Sequence, residues 1–191
     1  MAERERRERR PPPPLDAAAL DRLALRYVER FATSRGRLAD YLRRKVRERG
    51  WEGPAADPVA VAERMAALGY VDDRAFAEAR ATSLTRRGLG ERRVRDAWRA
   101  AGIGEEHRTA LTPQVVDAAA DAALAFARRR RIGPFATTAP ADRAAREKQL
   151  SAMLRAGHPL DLSRRIAALA PGEPIPEELT SLSRCDAEEP C

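Results

Sequence analysis

Apolar residues recur every three or four positions along most of this chain, and no stretch alternates convincingly as a strand would. The clearest pattern runs over residues 68–103. There Phe76, Ala77, Ala81 and Leu84 share one side of a helix. Val94, Ala97, Trp98 and Ala101 follow at i, i+3, i+4 and i+7. Gly69, after Leu68, closes an earlier helix, and Asp72 offers a carboxylate N-cap while Asp73 adds negative charge to the new first turn. Gly88-Leu89-Gly90 separates the two helices, and Gly102 stops the second with Ile103 as an apolar plug.

The same logic extends upstream. Asp16 caps a helix whose stripe is Leu20, Leu23, Ala24, Tyr27 and Phe31. Thr33 or Ser34 caps a second helix with Leu38, Tyr41, Leu42 and Val46 inward, ending at Gly50-Trp51. Asp57-Pro58 starts a third, with proline at N1 and Val61, Met65 and Leu68 inward. Downstream, only residues 104–111 remain for a short helix. Thr112-Pro113 then signals a long helix over 113–131, lined by Val116, Ala119, Ala120, Ala123, Leu124 and Ala127 and ending in Arg128 to Arg131. Helices over about 141–156 and 159–169 complete the series.

Gly50-Trp51, Gly102-Ile103 and Gly157-His158 are spaced by 52 and 55 residues, and each follows an amphipathic helix. A period near 50 argues for a helical repeat array over one irregular bundle. The expected fold is all-α, an elongated, monomeric array of three degenerate three-helix, helix-turn-helix-like repeats. Their expected bounds are 15–70, 71–111 and 112–170, with about nine helices.

Composition adds a partner class. Charged residues make up 34% of the 191 and aromatics 5%, which suits a thin-cored helical protein. The formal charge is +7, and residues 15–172 alone carry +10. That balance favours an anionic partner, although arginines on solvated helix faces explain part of it. Segments 1–14 (Arg-rich, then Pro11 to Pro14) and 171–191 (acidic) read as disordered tails. Cys185 and Cys191 in the acidic tail make neither a disulfide scaffold nor a metal site. No run reaches the roughly 18 apolar residues of a membrane span, so a cytoplasmic location is expected.

Catalytic chemistry finds little support, so no enzyme activity, cofactor or metal is expected. The chain has neither a Walker phosphate loop nor a dinucleotide glycine motif. His107 and His158 sit in helix connections without a nucleophile or ligand spacing. Asp72-Asp73 could be a metal pair, but a helix start accounts for both. Arginine is better placed for binding. Arg43, Arg44 and Arg47 lie opposite one apolar stripe, and Arg92, Arg95 and Arg99 form an i, i+3, i+7 row beside another. Such rows neutralise phosphates without reading sequence. Base readout is disfavoured, because the chain has no Asn and its only two glutamines are Gln114 and Gln149.

The string Leu68-Gly69-Tyr70-Val71-Asp72-Asp73, then Phe76-Ala77, Gly88, Gly90 and Gly102-Ile103, resembles the RecX family of regulators of the RecA recombinase. The resemblance thins out over residues 15–170. Arg37 stands where that family usually has an acidic residue, so its capping box is lost. The resemblance implies a protein that binds RecA or the RecA–single-stranded DNA filament in its groove. It would then modulate, and most often inhibit, strand exchange, ATP hydrolysis and the co-protease signal of the SOS response. The six arginines are the expected filament-facing residues. A non-specific nucleic-acid-binding repeat protein is the alternative.

Overall fold

The computed structural model describes residues 13–179. Among these residues it contains nine α-helices and two 3-10 turns, with one isolated bridge between Leu15 and Trp51. The protein is all-α, as its periodicity predicts. The chain divides after Asp72 into two compact units.

The first unit holds α1 (Ala17–Val28), α2 (Arg35–Arg49) and α3 (Pro58–Ala67). Side chains of Asp16, Ser34 and Asp57 cap them as expected, each accepting a bond from a first-turn N–H. Leu20, Ala24, Leu38, Leu42, Val61 and Met65 form the core, closed by Leu15 and Val71. Two expected core residues are outside it. Phe31 is exposed because α1 ends at Val28 and the stripe loses its helical phase. Leu68 is exposed at the C-cap of α3, and Val71 enters the core beyond it.

The second unit holds α4 (Asp73–Arg86), α5 (Glu91–Ala100), α6 (Glu105–Asp117), α7 (Ala119–Arg130), α8 (Arg143–Arg155) and α9 (Leu160–Ala168). It has two cores. Ala77, Leu84, Val94, Trp98, Ile103, Leu111 and Val115 build one. Ala123, Ala127, Ile132, Met153 and Ile166 anchor the other.

Thr112-Pro113 does not start a helix, contrary to expectation. Pro113 lies inside α6, and the break falls at Ala118. Leu111 and Val115, four apart, are both buried in the α4–α5 core. Burying two such side chains contributes about 1.5–3 kcal/mol each, enough to offset the roughly 3 kcal/mol of an internal proline. Val116, expected inside, is exposed as a result.

The helix ends also depart from a strict repeat. Helices α3, α4, α5 and α8 close with one pair of bonds; at α5, Ile103 N–H donates to the Trp98 carbonyl (3.0 Å) and Gly102 N–H to that of Arg99 (2.9 Å). Gly102 takes a left-handed φ of +67°, which glycine adopts without steric cost. Gly50 closes α2 differently, by a single bond from its N–H to the Val46 carbonyl, and Trp51 then pairs with Leu15. Residues 171–179, expected in the acidic tail, pack on the last core through Ile175 and Leu179, the latter fully buried. The rest of the expected end segments, residues 1–12 and 180–191 with Cys185 and Cys191, lies outside the described residues.

The two layers of the second unit meet turn against turn. Gly90 N–H donates to the Ala156 carbonyl at 2.9 Å, and Arg92 N–H to that of Gly157 at 3.3 Å. A Cβ on Gly90 would lie 2.4 Å from the Gly157 carbonyl carbon, so no larger residue fits without a shift. His158, buried beside this contact, places Nε2 3.1 Å from the Gly88 carbonyl. Donation to a carbonyl makes Nε2–H the protonated nitrogen of the neutral ring; Nδ1 is buried with no partner among the described residues. Burial lowers the His158 pKa below its ordinary value, against the opposing effect of the Gly88 bond.

Two outcomes are expected. Trp98 is wholly buried, and its indole N–H donates to the Ala77 carbonyl at 2.9 Å. Trp98→Ala should cost about 3–5 kcal/mol in urea unfolding; in a Trp51→Phe background, a solvent-exposed emission maximum for Trp98 would contradict its burial. His158 gives a pH dependence. The unfolded imidazole takes a proton near pH 6.5, whereas the folded one resists it to lower pH. The unfolded state then binds more protons, so stability should fall as pH drops below about 6.5. The urea midpoint of the wild type should decline more steeply from pH 7 to 5 than that of His158→Gln, whose side chain does not titrate.

Candidate functional site

The six arginines singled out in the sequence fall on two helices in different units, so each face stands by itself. On α2, Arg43 pairs with Asp40 at 2.5 Å and Arg44 with Glu48 at 3.6 Å. Lys45 also reaches Glu48, at 2.6 Å, and this bond holds the Glu48 carboxyl below the usual carboxylate range. Arg47 is exposed. These are pairs between neighbours on an open helix face. They add little stability, and their guanidinium groups can exchange partners at small cost. Helix α2 carries seven basic residues against Asp40 and Glu48. Arg49, at its end, instead donates from Nε and from a terminal nitrogen to the Pro13 carbonyl, at 3.1 and 2.8 Å.

On α5 the structure separates residues that look alike in the sequence. Arg92 sends a terminal N–H across the turn contact to the Leu154 carbonyl at 2.6 Å, and Arg93 reaches the Arg155 carbonyl at 3.1 Å. Both bind the C-terminal carbonyls of α8, where cations are favoured. Arg92 therefore serves the fold as well as the surface. Arg95 pairs with Glu91 (2.6 Å) and Arg99 with Asp96 (3.1 Å).

Arg95 and Arg99 form a ridge between two clefts of the second unit. One, of about 440 Å³, lies between α5 and the α8–α9 turn, with Arg92 and Glu91 on its wall. The other, of about 290 Å³, lies between α5 and α6 and is lined by Arg108, Thr109 and Thr112. The Nε atoms of Arg95 and Arg108 are buried and have no hydrogen-bond partner among the described residues. Guanidinium groups on concave walls suit carboxylates or phosphates through their accessible terminal nitrogens.

Arg108 was not legible in the sequence. It lies in a helix of mixed charge and pairs with Glu105, and only the packing of α6 on α5 brings it to this cleft. The arginines ending α7 behave differently. Arg128 lies 4.8 Å from the Phe135 ring centre and Arg130 lies 5.8 Å from that of Phe126, so both cover aromatic surface. A third depression, between α4 and the α6–α7 break, is lined mostly by alanines and threonines, with Glu78, Arg86, Gln114 and Asp121 of mixed charge. Among the described residues no three His, Cys, Asp or Glu side chains gather as a metal site would need, and no helix is long and apolar enough to cross a membrane.

No protein-family model matches the chain. Two curated proteins named regulatory protein RecX do. That of Myxococcus xanthus is 29% identical over 175 residues, spanning 85% of this chain and 92% of its own. That of Agrobacterium fabrum is 29% identical over 152 residues, spanning 78% of this chain and 80% of its own. The fold is similar to the crystal structure of RecX from Lactobacillus salivarius, with a TM-score of 0.54, 17% identity and coverage of 78% of this chain and 92% of that one. It is also similar to a second crystal structure of regulatory protein RecX, with a TM-score of 0.52, 22% identity and coverage of 78% and 72%. Over most of its length this chain is thus similar to proteins named regulatory protein RecX, and it shares the helical fold of solved RecX structures.

Proposed function

We propose that this protein binds RecA, and the RecA–single-stranded DNA filament above all, as a cytoplasmic monomer. In this reading it lowers recombinase, ATPase and co-protease activities in recombinational repair and the SOS response. The observation that carries the reading is the α5 ridge. Arg95 and Arg99 stand between two open clefts, and Arg108 lines the second of them. Acidic side chains of a protein partner or phosphates of its DNA complement such a ridge. The second basic face, Arg43, Arg44 and Arg47 on α2, offers another weak contact to a partner that repeats along an axis. A grouping into three-helix repeats over 15–70, 71–111 and 112–170 belongs to the same proposal, with α6 extending the middle group to Asp117. Non-specific nucleic-acid binding is the second reading, favoured by the charge of α2.

The test is inhibition of filament-dependent ATP hydrolysis by a bacterial RecA at two salt concentrations, with co-sedimentation on filaments and on bare single strands. Arg92 stays in place, since it bonds the end of α8. Changing Arg43, Arg44 and Arg47 to Ala, or Arg95 and Arg99 to Ala, should leave the fold intact by circular dichroism. Each set should weaken inhibition, and both together should weaken it more than either alone. Added salt should weaken the wild type more than the neutralised variant. A folded combined variant that inhibits as well as wild type at both salts would reduce these arginines to a solvated surface. Wild type that sediments equally with bare strands and with filaments would favour the second reading.

A further inference from the structure

The first unit carries a row of aromatic rings that the regulator reading does not use. Phe31, Tyr27 and Tyr41 follow one another at the junction of α1 and α2. The Tyr27 and Tyr41 rings stack with centroids 4.2 Å apart at 26°, and Phe31 meets Tyr27 at 5.2 Å and 48°. Two cations end the row. The Arg44 guanidinium lies 5.6 Å and the Lys45 ammonium 5.9 Å from the Tyr41 ring centre. The chain has nine aromatic residues, Trp, Tyr and Phe together, so a third of them stand in this one row.

Phe31 is the unusual member. It is 54% exposed, while Leu20, Leu38 and Leu42 of the same unit are essentially inaccessible. A ring left this open contributes little burial energy to the fold and has apolar surface to offer a partner. Its backbone is held at the end of α1, where its N–H donates to the Tyr27 carbonyl at 3.0 Å, and its ring lies against Tyr27. One side of the ring thus rests on Tyr27, and much of the remainder is open.

We infer that Phe31, backed by Tyr27 and Tyr41, is a stacking platform for the bases of single-stranded nucleic acid, with Arg44 and Lys45 beside it for the phosphates. A ring supported on one side and open on the other is what an unpaired base needs. The basic face of α2, with Arg43, Arg44 and Arg47, supplies the charge complement for the backbone. Recognition of this kind needs no side chain on a base edge and tolerates any sequence, since every base has a π-face. That accords with a chain without Asn. Duplex DNA keeps its bases stacked internally and has no such use for Phe31. The inference does not rest on the regulator reading, and RecA is absent from its test.

The probe is oligothymidylate, with a duplex of the same length as control. Phe31→Ala should weaken oligothymidylate binding roughly 5- to 100-fold, the loss of one stacked base, and leave duplex binding unchanged. The slope of log affinity against log salt should stay as in wild type, because no phosphate contact is removed. Arg44→Gln should instead reduce that slope. Phe31→Leu keeps an apolar side chain of similar bulk and should bind as weakly as the alanine variant. Phe31→Trp should bind at least as well as wild type, and in a Trp51→Phe background its emission should be quenched by oligothymidylate. Wild-type affinity in Phe31→Ala or Phe31→Leu would overturn the inference. So would equal losses on single strand and duplex, or no binding of oligothymidylate by the wild type.

Discussion

The second unit depends on one close approach of backbone to backbone. Gly90 and Gly157 lie so near that a methyl group would collide with a carbonyl. The backbone of Gly90 is ordinary there, with φ of −79°, so lack of space demands glycine and lack of conformational freedom does not. Two main-chain bonds, the His158 bond to Gly88 and the guanidinium bonds of Arg92 and Arg93 converge on the same contact. Leu89 packs against both cores of the unit, and α7 adds a second link by contacting α4 and α6. The contact also makes the larger cleft, whose walls are α5 on one side and residues 154–159 on the other.

The basic character of the chain is therefore divided. Some arginines hold the fold: Arg49 at the Pro13 carbonyl, Arg92 and Arg93 on the end of α8, Arg128 and Arg130 on aromatic rings. Others pair with carboxylates one turn away and keep much of their surface in water, as Arg43, Arg44 and Arg99 do. A guanidinium suits both tasks because it is always charged, planar and rich in donors. Only the second group is available to a partner without cost to folding. The ridge of Arg95 and Arg99 combines availability with concave walls, which a single exposed helix face lacks.

Local chemistry made much of this protein legible from its sequence. Asp16, Ser34 and Asp57 cap helices because a carboxylate or hydroxyl at that point satisfies first-turn N–H groups. The Val94, Trp98, Ala101 stripe is buried because a 3.6-residue period puts those side chains on one face. The all-α architecture, with nine helices among the described residues, and the string over residues 68–103 follow from such local signals. What failed was long-range. Thr112-Pro113 has the local form of a helix start, but burial of Leu111 and Val115 against α4 and α5 carried the helix through it. Phe31 and Leu68 continue apolar stripes on paper, yet their helices end too soon to bury them. Ile175 and Leu179 sit in an acidic stretch, and only the last core gives them a place. Periodicity specifies which face of a helix is apolar; which arginine is structural, which lines a cleft and which ring is left open are decided by what the rest of the chain brings beside that helix.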